Sequence, residues 1–320
     1  MQRCIFEKMC DIKIFSTHNL QSNHIVLPSQ YIIPIKVGFP NEPAFGNMIR
    51  DNTGNNISYK NVQYCELTTQ YWAWKNVKAD YYGFCHYRRF FSFCPNKLHF
   101  DSWGTVIIPR LTLEEWKLIG YGYEKDDIEN CSRIKNVVTS HDVIITEESD
   151  LWINGVNSPY EHYKNHHNRY DLDCILGIIN DIYPKYSNAA QKYIHGKIEY
   201  YCNMFIMNNE HFHKYCVWLF RILDEFEKRT DLTYRKDKGF RVVGYLGERL
   251  LGIYYTFLED EGIYKLGKLQ RVQFLNTSNG FQNKPIKFKK TKKWLEWLFP
   301  YKSLRRRLIK FIYYRVRNFV

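Results

Sequence analysis

The sequence predicts an α/β domain of three layers, a sheet between two layers of helices. Three observations carry that prediction. Short apolar runs with strand character alternate with longer stretches whose apolar residues recur every three to five positions. Hydrophobic residues make up 45% of the 320, so the chain can bury a sizeable core unaided. Polar, turn-rich segments follow several of the strand-like runs, where open α/β sheets hold their ligands.

Taken in order, residues 12–16 (IKIFS) form a first strand that runs into Thr17-His18-Asn19. Residues 31–37 (YIIPIKV) form a second, and 51–58 (DNTGNNIS) a polar loop in which Gly54 is free to take positive φ. Val62, Leu67, Tyr71, Trp74 and Val77 mark an amphipathic helix over 60–78. A buried strand, 81–85 (YYGFC), leads into a loop that begins at His86. The stretch 111–134 reads as charged helix with an insertion-like middle, and 143–146 (VIIT) as another buried strand. Ser158 and Pro159 take the N-cap and first-turn positions of a helix. Further helix follows over 173–183, a strand over 201–207 (YCNMFIM), a strongly amphipathic helix over 211–229, a helix over 245–258 and a last strand over 272–275. The expected organisation is one domain over 1–275, with 92–141 as an insertion or lid, a polar linker over 276–284 and a basic tail over 285–320.

Charge and cysteines narrow the function. The formal net charge is +13, yet 13 of the 46 Lys and Arg lie in residues 284–320 beside a single acid, Glu296. The other 283 residues hold 33 bases against 32 acids. A globular nucleic-acid binder spreads its basic face over the folded body; a neutral body with a cationic appendage points to an attachment device. The nine cysteines are odd in number and contain no C-x-x-C, which speaks against a zinc ribbon or a disulfide framework and suits a reducing cytoplasm. No run reaches the roughly 18 uninterrupted apolar residues of a membrane span, and the first 13 residues do not read as a secretory signal.

The chemistry-bearing cluster is His86-Tyr87-Arg88-Arg89, placed at a strand end. The order of a strand, a polar loop, a helix carrying Trp72-Ala73-Trp74-Lys75-Asn76 and a strand ending in charged residues resembles the nucleotide-sugar half of a GT-A glycosyltransferase, a Rossmann-type fold. Many such enzymes place Asp-x-Asp at that last position, to hold a divalent ion on the donor diphosphate. Arginine forks can neutralise a leaving diphosphate instead of a metal. Arg88 and Arg89 are therefore assigned to the diphosphate, with His86 beside them. The competing account is that one arginine pairs with an acid at the core edge and His86 is a satisfied loop histidine. Asp171-Leu172-Asp173 has the literal Asp-x-Asp pattern, but acids at a helix start are favoured by its dipole. Capping is the reading there, with metal binding as the alternative.

Taken together, 51–58, 64–67, 71–76, 83–91 (GFCHYRRFF), 160–163, 202–207 and 247–250 (GERL) resemble, in that order, a bacterial domain of unknown function found in capsular and exopolysaccharide biosynthesis proteins and regarded as a glycosyltransferase. The likeness spans about 11–275. It departs from the family pattern at Asn52, where a second acid is usual, and at Asn55, where Asp is common. The resemblance implies transfer of a sugar, in some relatives galactose or galactofuranose, from a UDP-sugar to a polyprenyl-diphosphate-linked glycan. It implies nucleotide contacts from Thr17, His18, Asp51, Asn52 and Thr53, and sugar or acceptor contacts from Tyr64, Glu66, Tyr87, Asn203 and Arg249. For Tyr64, Glu66, Trp72 and Trp74, packing in the core is the competing account. Inverting transfer needs a base for the acceptor hydroxyl, and Glu248, on a late helix, is its candidate against a plain ion pair with Arg249 or Arg241; retaining chemistry stays open. No metal is assigned: transfer without metal is the expectation, with Mn²⁺ or Mg²⁺ as the alternative.

In the tail, Leu304, Leu308, Phe311, Ile312, Val316 and Phe319 recur at helical spacing among arginines and lysines. That pattern suits a helix lying on an anionic bilayer, which would make the protein peripheral on the inner face of the cell membrane. A partner helix or an RNA contact is the alternative. The reading from another class is a non-catalytic membrane- or nucleic-acid-binding protein that acts through this tail.

Overall fold

A computed structural model describes residues 10–19, 27, 29–38, 48–122, 127–232, 240–277 and Arg305. The tail expected over 285–320, Arg305 apart, and most of the linker lie outside them.

In chain order, β1 (Ile12–His18), β2 (Ile32–Lys36) and β3 (Ile49–Arg50) come first. A broken helix follows, α1 (Asn61–Tyr64) and α2 (Leu67–Asn76), then β4 (Tyr81–His86), β5 (Arg89–Phe91) and β6 (Thr105–Arg110). Next are α3 (Leu113–Leu118), α4 (Ile128–Thr139), β7 (Val143–Thr146) and β8 (Ser149–Asp150). Helices α5 (Pro159–His166), α6 (Arg169–Ile182) and α7 (Ser187–Ile194) lead to β9 (Ile198–Glu199) and β10 (Phe205–Asn208). The long helices α8 (Asn209–Arg229) and α9 (Val242–Glu261) precede β11 (Leu266–Leu269) and β12 (Arg271–Asn276).

The main sheet runs β11-β7-β10-β4-β1-β2-β3, with β12 joining β5 and β6 to it. Every neighbour along that path pairs in parallel except β10, which is antiparallel to both β4 and β7. Successive side chains of a strand point to opposite faces, and the core divides accordingly. Phe15, Phe84, Ile145 and Met207 face a large cluster built with α2 and α5–α9; Ile14, Cys85, Ile144 and Ile206 face a second built with α3 and α4. This is the α/β three-layer architecture read from the sequence. Gly83 sits where the central strands press together: a Cβ there would lie 2.8 Å from Ile14 Cγ1 and 3.1 Å from Ile206 Cγ1.

Local signals hold at several ends. Ser158 Oγ accepts from Glu161 N at 3.1 Å, with Pro159 in the first turn of α5. On α8 the buried residues Phe212, Tyr215, Cys216, Leu219, Ile222, Leu223 and Phe226 follow the 3.6-residue period. Asn168 caps α6, and Asp171 stands in its first turn, as the dipole favours.

Four boundaries differ from the sequence reading. The helix expected over 60–78 is interrupted at Cys65, which has φ 51° and ψ −129°. Its freed carbonyl accepts from Asn61 Nδ2 at 2.9 Å and Thr68 Oγ1 at 3.0 Å, so side chains replace the missing helical bonds. His86 ends β4 instead of opening a loop, and pairs with Arg89 across a two-residue turn. The helix expected over 111–134 is two, α3 and α4. The strand expected over 201–207 begins at Phe205, because Cys202 and Asn203 take left-handed φ of 78° and 47°.

Candidate active site

The parallel strands β1, β2 and β4 end on one edge of the sheet, with Thr17 in register with His86 and His18 with Lys36. Because β10 runs the other way, it starts on that same edge and brings Cys202 and Asn203 there. The edge opens into a cleft of about 720 Å³ lined by Thr17, Asn19, Cys65, Glu66, the run His86-Tyr87-Arg88-Arg89, Cys202, Arg241, Tyr245 and Glu248 among others. All three non-glycine residues with positive φ among the described residues, Cys65, Cys202 and Asn203, border this cleft or support its wall. Such conformations cost of order 1 kcal/mol or more each and persist where surrounding structure holds them.

Hydrogen bonds show what holds them here. His86 Nε2 lies 2.6 Å from the Cys202 carbonyl, and Cys202 N donates to Glu248 Oε1 at 2.9 Å. Asn203 Nδ2 donates to Glu66 Oε1 at 2.6 Å and to Gly244 O at 3.0 Å. The turn before β10 is thereby tied to β4, to α9 and to the break between α1 and α2.

The electrostatics are uneven. Burial, reinforced by the Arg89 guanidinium, lowers the His86 pKa to about 4. As a neutral ring donating Nε2–H to Cys202, His86 offers Nδ1 as an acceptor, which suits a hydroxyl donor. It stands on the cleft wall beside Arg88 and Arg89. Burial raises Glu66 above the ordinary carboxylate range, against the hydrogen bond from Asn203. Burial also raises Glu248, against the pull of Arg249 and with Glu66 and Glu199 adding to it. The cationic side is made by three arginines. Arg89 Nε donates to Gln273 Oε1 at 3.1 Å, and Arg241 Nε reaches Cys65 Sγ at 3.1 Å. Arg88 packs its guanidinium 5.5 Å from the Tyr87 ring centre, while its Nε is buried without a partner among the described residues. Planar forks of this kind suit phosphate oxygens. Among the described residues no group of three or more His, Cys, Asp or Glu is arranged to hold a metal ion.

The residues expected at the site divide into three groups. Thr17, Glu66, His86, Tyr87, Arg88, Arg89 and Glu248 line the cleft. Asn203 and Arg249 stand behind its wall, 1% and 2% exposed; a buried guanidinium needs counter-charges, and Arg249 has two, so its expected sugar contact is corrected. Tyr64, His18, Asp51, Asn52 and Thr53 are not on the wall. Tyr64 is in the core and Lys60 Nζ lies 5.2 Å from its ring centre. His18 is buried with Nε2 3.1 Å from Ser16 Oγ. Asp51 is fully buried and accepts from Ser58 Oγ at 2.6 Å, and Thr53 accepts from Trp72 Nε1 at 3.0 Å. That loop is fastened to α2 through Asn76, which bonds both N and O of Asn55. Trp72 is buried edge-on to Phe15, and Trp74 stacks on Phe220, so both are packing residues.

Sequence reasoning missed Arg241 and Tyr245 as cleft residues. Their signal was the helical register 241, 245, 248, which puts both on one face with Glu248. Starting the helix at 245 hid it.

The chain superposes on a solved structure titled "WbbM bifunctional glycosytransferase apo structure" with a TM-score of 0.76 and 33% sequence identity. The match covers 87% of this chain and 48% of that one, so the chain spans about half the length of the protein it resembles. The fold is accordingly GT-A-like, as expected. No curated protein matches significantly. A family model described as "Domain of unknown function (DUF4422)" matches residues 14–259, and the chain belongs to that glycosyltransferase-like family.

Proposed function

We propose that the protein is a glycosyltransferase whose cleft holds a nucleotide-diphosphate sugar, with a UDP-sugar as donor. The observation that carries this reading is the set of three arginines, 88, 89 and 241, on the wall of a cleft at the carboxyl ends of parallel strands. The likeness to a protein titled a glycosyltransferase supports the same class. As the glycosidic bond breaks, the leaving diphosphate gains negative charge, and fixed guanidinium groups stabilise it. Glu248, opening into the cleft beside Cys202, takes the proton of the acceptor hydroxyl in an inverting transfer. Neutral His86 orients a sugar hydroxyl through Nδ1. Both cleft carboxylates are engaged by protein groups, Glu66 by Asn203 and Glu248 by Cys202 and Arg249. The reading is therefore diphosphate binding without a metal.

The acceptor in this proposal is a polyprenyl-diphosphate-linked glycan of capsule, exopolysaccharide or O-antigen synthesis, met at the inner face of the cell membrane through the basic tail 285–320. Galactose and galactofuranose are the first sugars to test. No helix among the described residues is long and apolar enough to cross a membrane. The experiment is calorimetric titration of the full chain with UDP and UMP in EDTA, followed by a screen of UDP-hexoses for UDP release. Tight UDP binding that EDTA leaves unchanged is expected. Failure to bind UDP, with or without Mn²⁺, overturns the proposal.

A further inference from the structure

Behind the cleft wall lies a chain of four side chains. Arg249 Nη1 is 2.9 Å from Glu248 Oε2, and Arg249 Nη2 is 2.7 Å from Glu199 Oε1. Glu199 Oε2 in turn lies 2.7 Å from His162 Nδ1. The Arg249 side chain is 3% exposed and that of Glu199 fully buried, while Glu248 is 17% exposed and reaches the cleft. Arg249 also donates to Tyr245 O at 3.3 Å and lies 5.3 Å from the Tyr163 ring centre. Both Nη atoms of the guanidinium are thus held by carboxylates, while its Nε is buried without a hydrogen-bond partner among the described residues.

Its geometry assigns it a different task. We infer that Arg249 is a positioning residue: anchored by Glu199, it fixes the Glu248 carboxylate in one orientation and keeps it anionic until it takes the acceptor's proton. This rests on the proposed role of Glu248. A lone buried guanidinium is costly, and so is a lone buried carboxylate. Here one positive charge serves two carboxylates. Glu199, fully buried on β9, pairs with the arginine from behind the wall. Glu248 receives the other fork and, through Oε1, the N–H of Cys202. When Glu248 gains a proton from the acceptor oxygen, that oxygen forms its bond to the sugar, the bond to the diphosphate breaks, and Arg249 and Glu199 remain as a matched pair. The transfer of charge out of the cleft leaves no uncompensated ion behind.

The test uses Arg249→Lys and Glu199→Gln in the full chain, with UDP binding by calorimetry and turnover as UDP release from UDP-hexoses across pH. A lysine keeps the charge but cannot span two carboxylates, and the amide removes the anchor. The expected result is UDP affinity within about twofold of wild type, and kcat lowered about 100-fold, as for misplacement of a reacting group. In Arg249→Lys the acidic limb of kcat also moves to higher pH, because a weakened guanidinium contact favours protonated Glu248, whereas Glu199→Gln removes a negative charge that raises Glu248 and moves the limb to lower pH. Among the other ionisable groups around Glu248 are Glu66, Cys65, His86, Arg89, Cys202, Arg241 and Tyr245, unchanged in both variants. Wild-type kcat and an unmoved acidic limb in both variants overturn the inference, as does a loss confined to donor KM. Absence of UDP binding by the wild type is a separate result and overturns the donor-site reading instead.

Discussion

The ring nitrogen Nε2 of His86 and the main-chain oxygen of Cys202 are 2.6 Å apart, so the end of β4 is locked to the strained turn that begins the antiparallel strand. The bond requires a proton on Nε2. Burial and Arg89 disfavour a second one, with the pKa at about 4 against 6.5 for a free ring.

A pH dependence of stability follows. The unfolded chain binds the His86 proton below pH 6.5 and the native protein only near pH 4, so stability is full above pH 6.5 and falls as pH drops through that window. The His86 share of the loss is on the order of 3 kcal/mol. Chemical denaturation at pH 7, 5.5 and 4 checks this. His86→Gln, which keeps a donor toward Cys202 but does not titrate, flattens the slope in that window.

Arg88→Ala weakens UDP binding about 30-fold, the value of one charge-assisted contact of roughly 2 kcal/mol. Uridine, which carries no phosphate, binds the variant and the wild type alike. Equal weakening of both ligands would remove Arg88 from the diphosphate. Titration of the two ligands against both proteins decides it.

Glu248→Gln keeps the shape of the side chain and removes the base. Turnover falls by about 10²–10⁴ while UDP affinity holds. In the wild type the acidic limb of kcat lies above the ordinary glutamate range, since burial raises this carboxyl. A pH–rate profile of UDP release measures both.

Asn203 carries two separable costs. Asn203→Ala strands the Glu66 carboxyl and puts a Cβ-bearing residue without a local amide at φ 47°, and lowers stability by about 2–4 kcal/mol. Asn203→Gly loses the same hydrogen bonds but accepts the backbone angle freely, and is the milder variant by about 1 kcal/mol. Thermal melts of the pair read out that difference.

Much of the sheet was legible because buried strands are written locally: alternation at 14–15, 84–85 and 144–145 already separates the two faces. The glycine of 83–91 was legible as part of a motif, and its reason appears only in the contact with Ile14 and Ile206. The break at Cys65 was not legible, because Asn61 and Thr68 stabilise it through bonds that no periodicity reports. Nor was the burial of Arg249. Sequence shows an arginine next to Glu248, and only the arrival of Glu199 from β9 makes a closed interior the favourable place for it. The loop 51–55 misled in the opposite sense. Its polar residues look like ligand contacts, yet Thr53 and Asn55 point their bonding groups at Trp72 and Asn76.

The reversed direction of β10 also has a consequence for how the protein comes into being. The contacts that build the cleft join residues 116 positions apart for His86 and Cys202, and 137 apart for Glu66 and Asn203. Closing such long loops comes late, after local helices and neighbouring strands have formed. During synthesis β1 to β5 leave the ribosome with Arg88 and Arg89 but with no opposing wall. The edge of β4 stays open to mispairing until β10 pairs with it, and the cleft comes into existence only when α9 then docks.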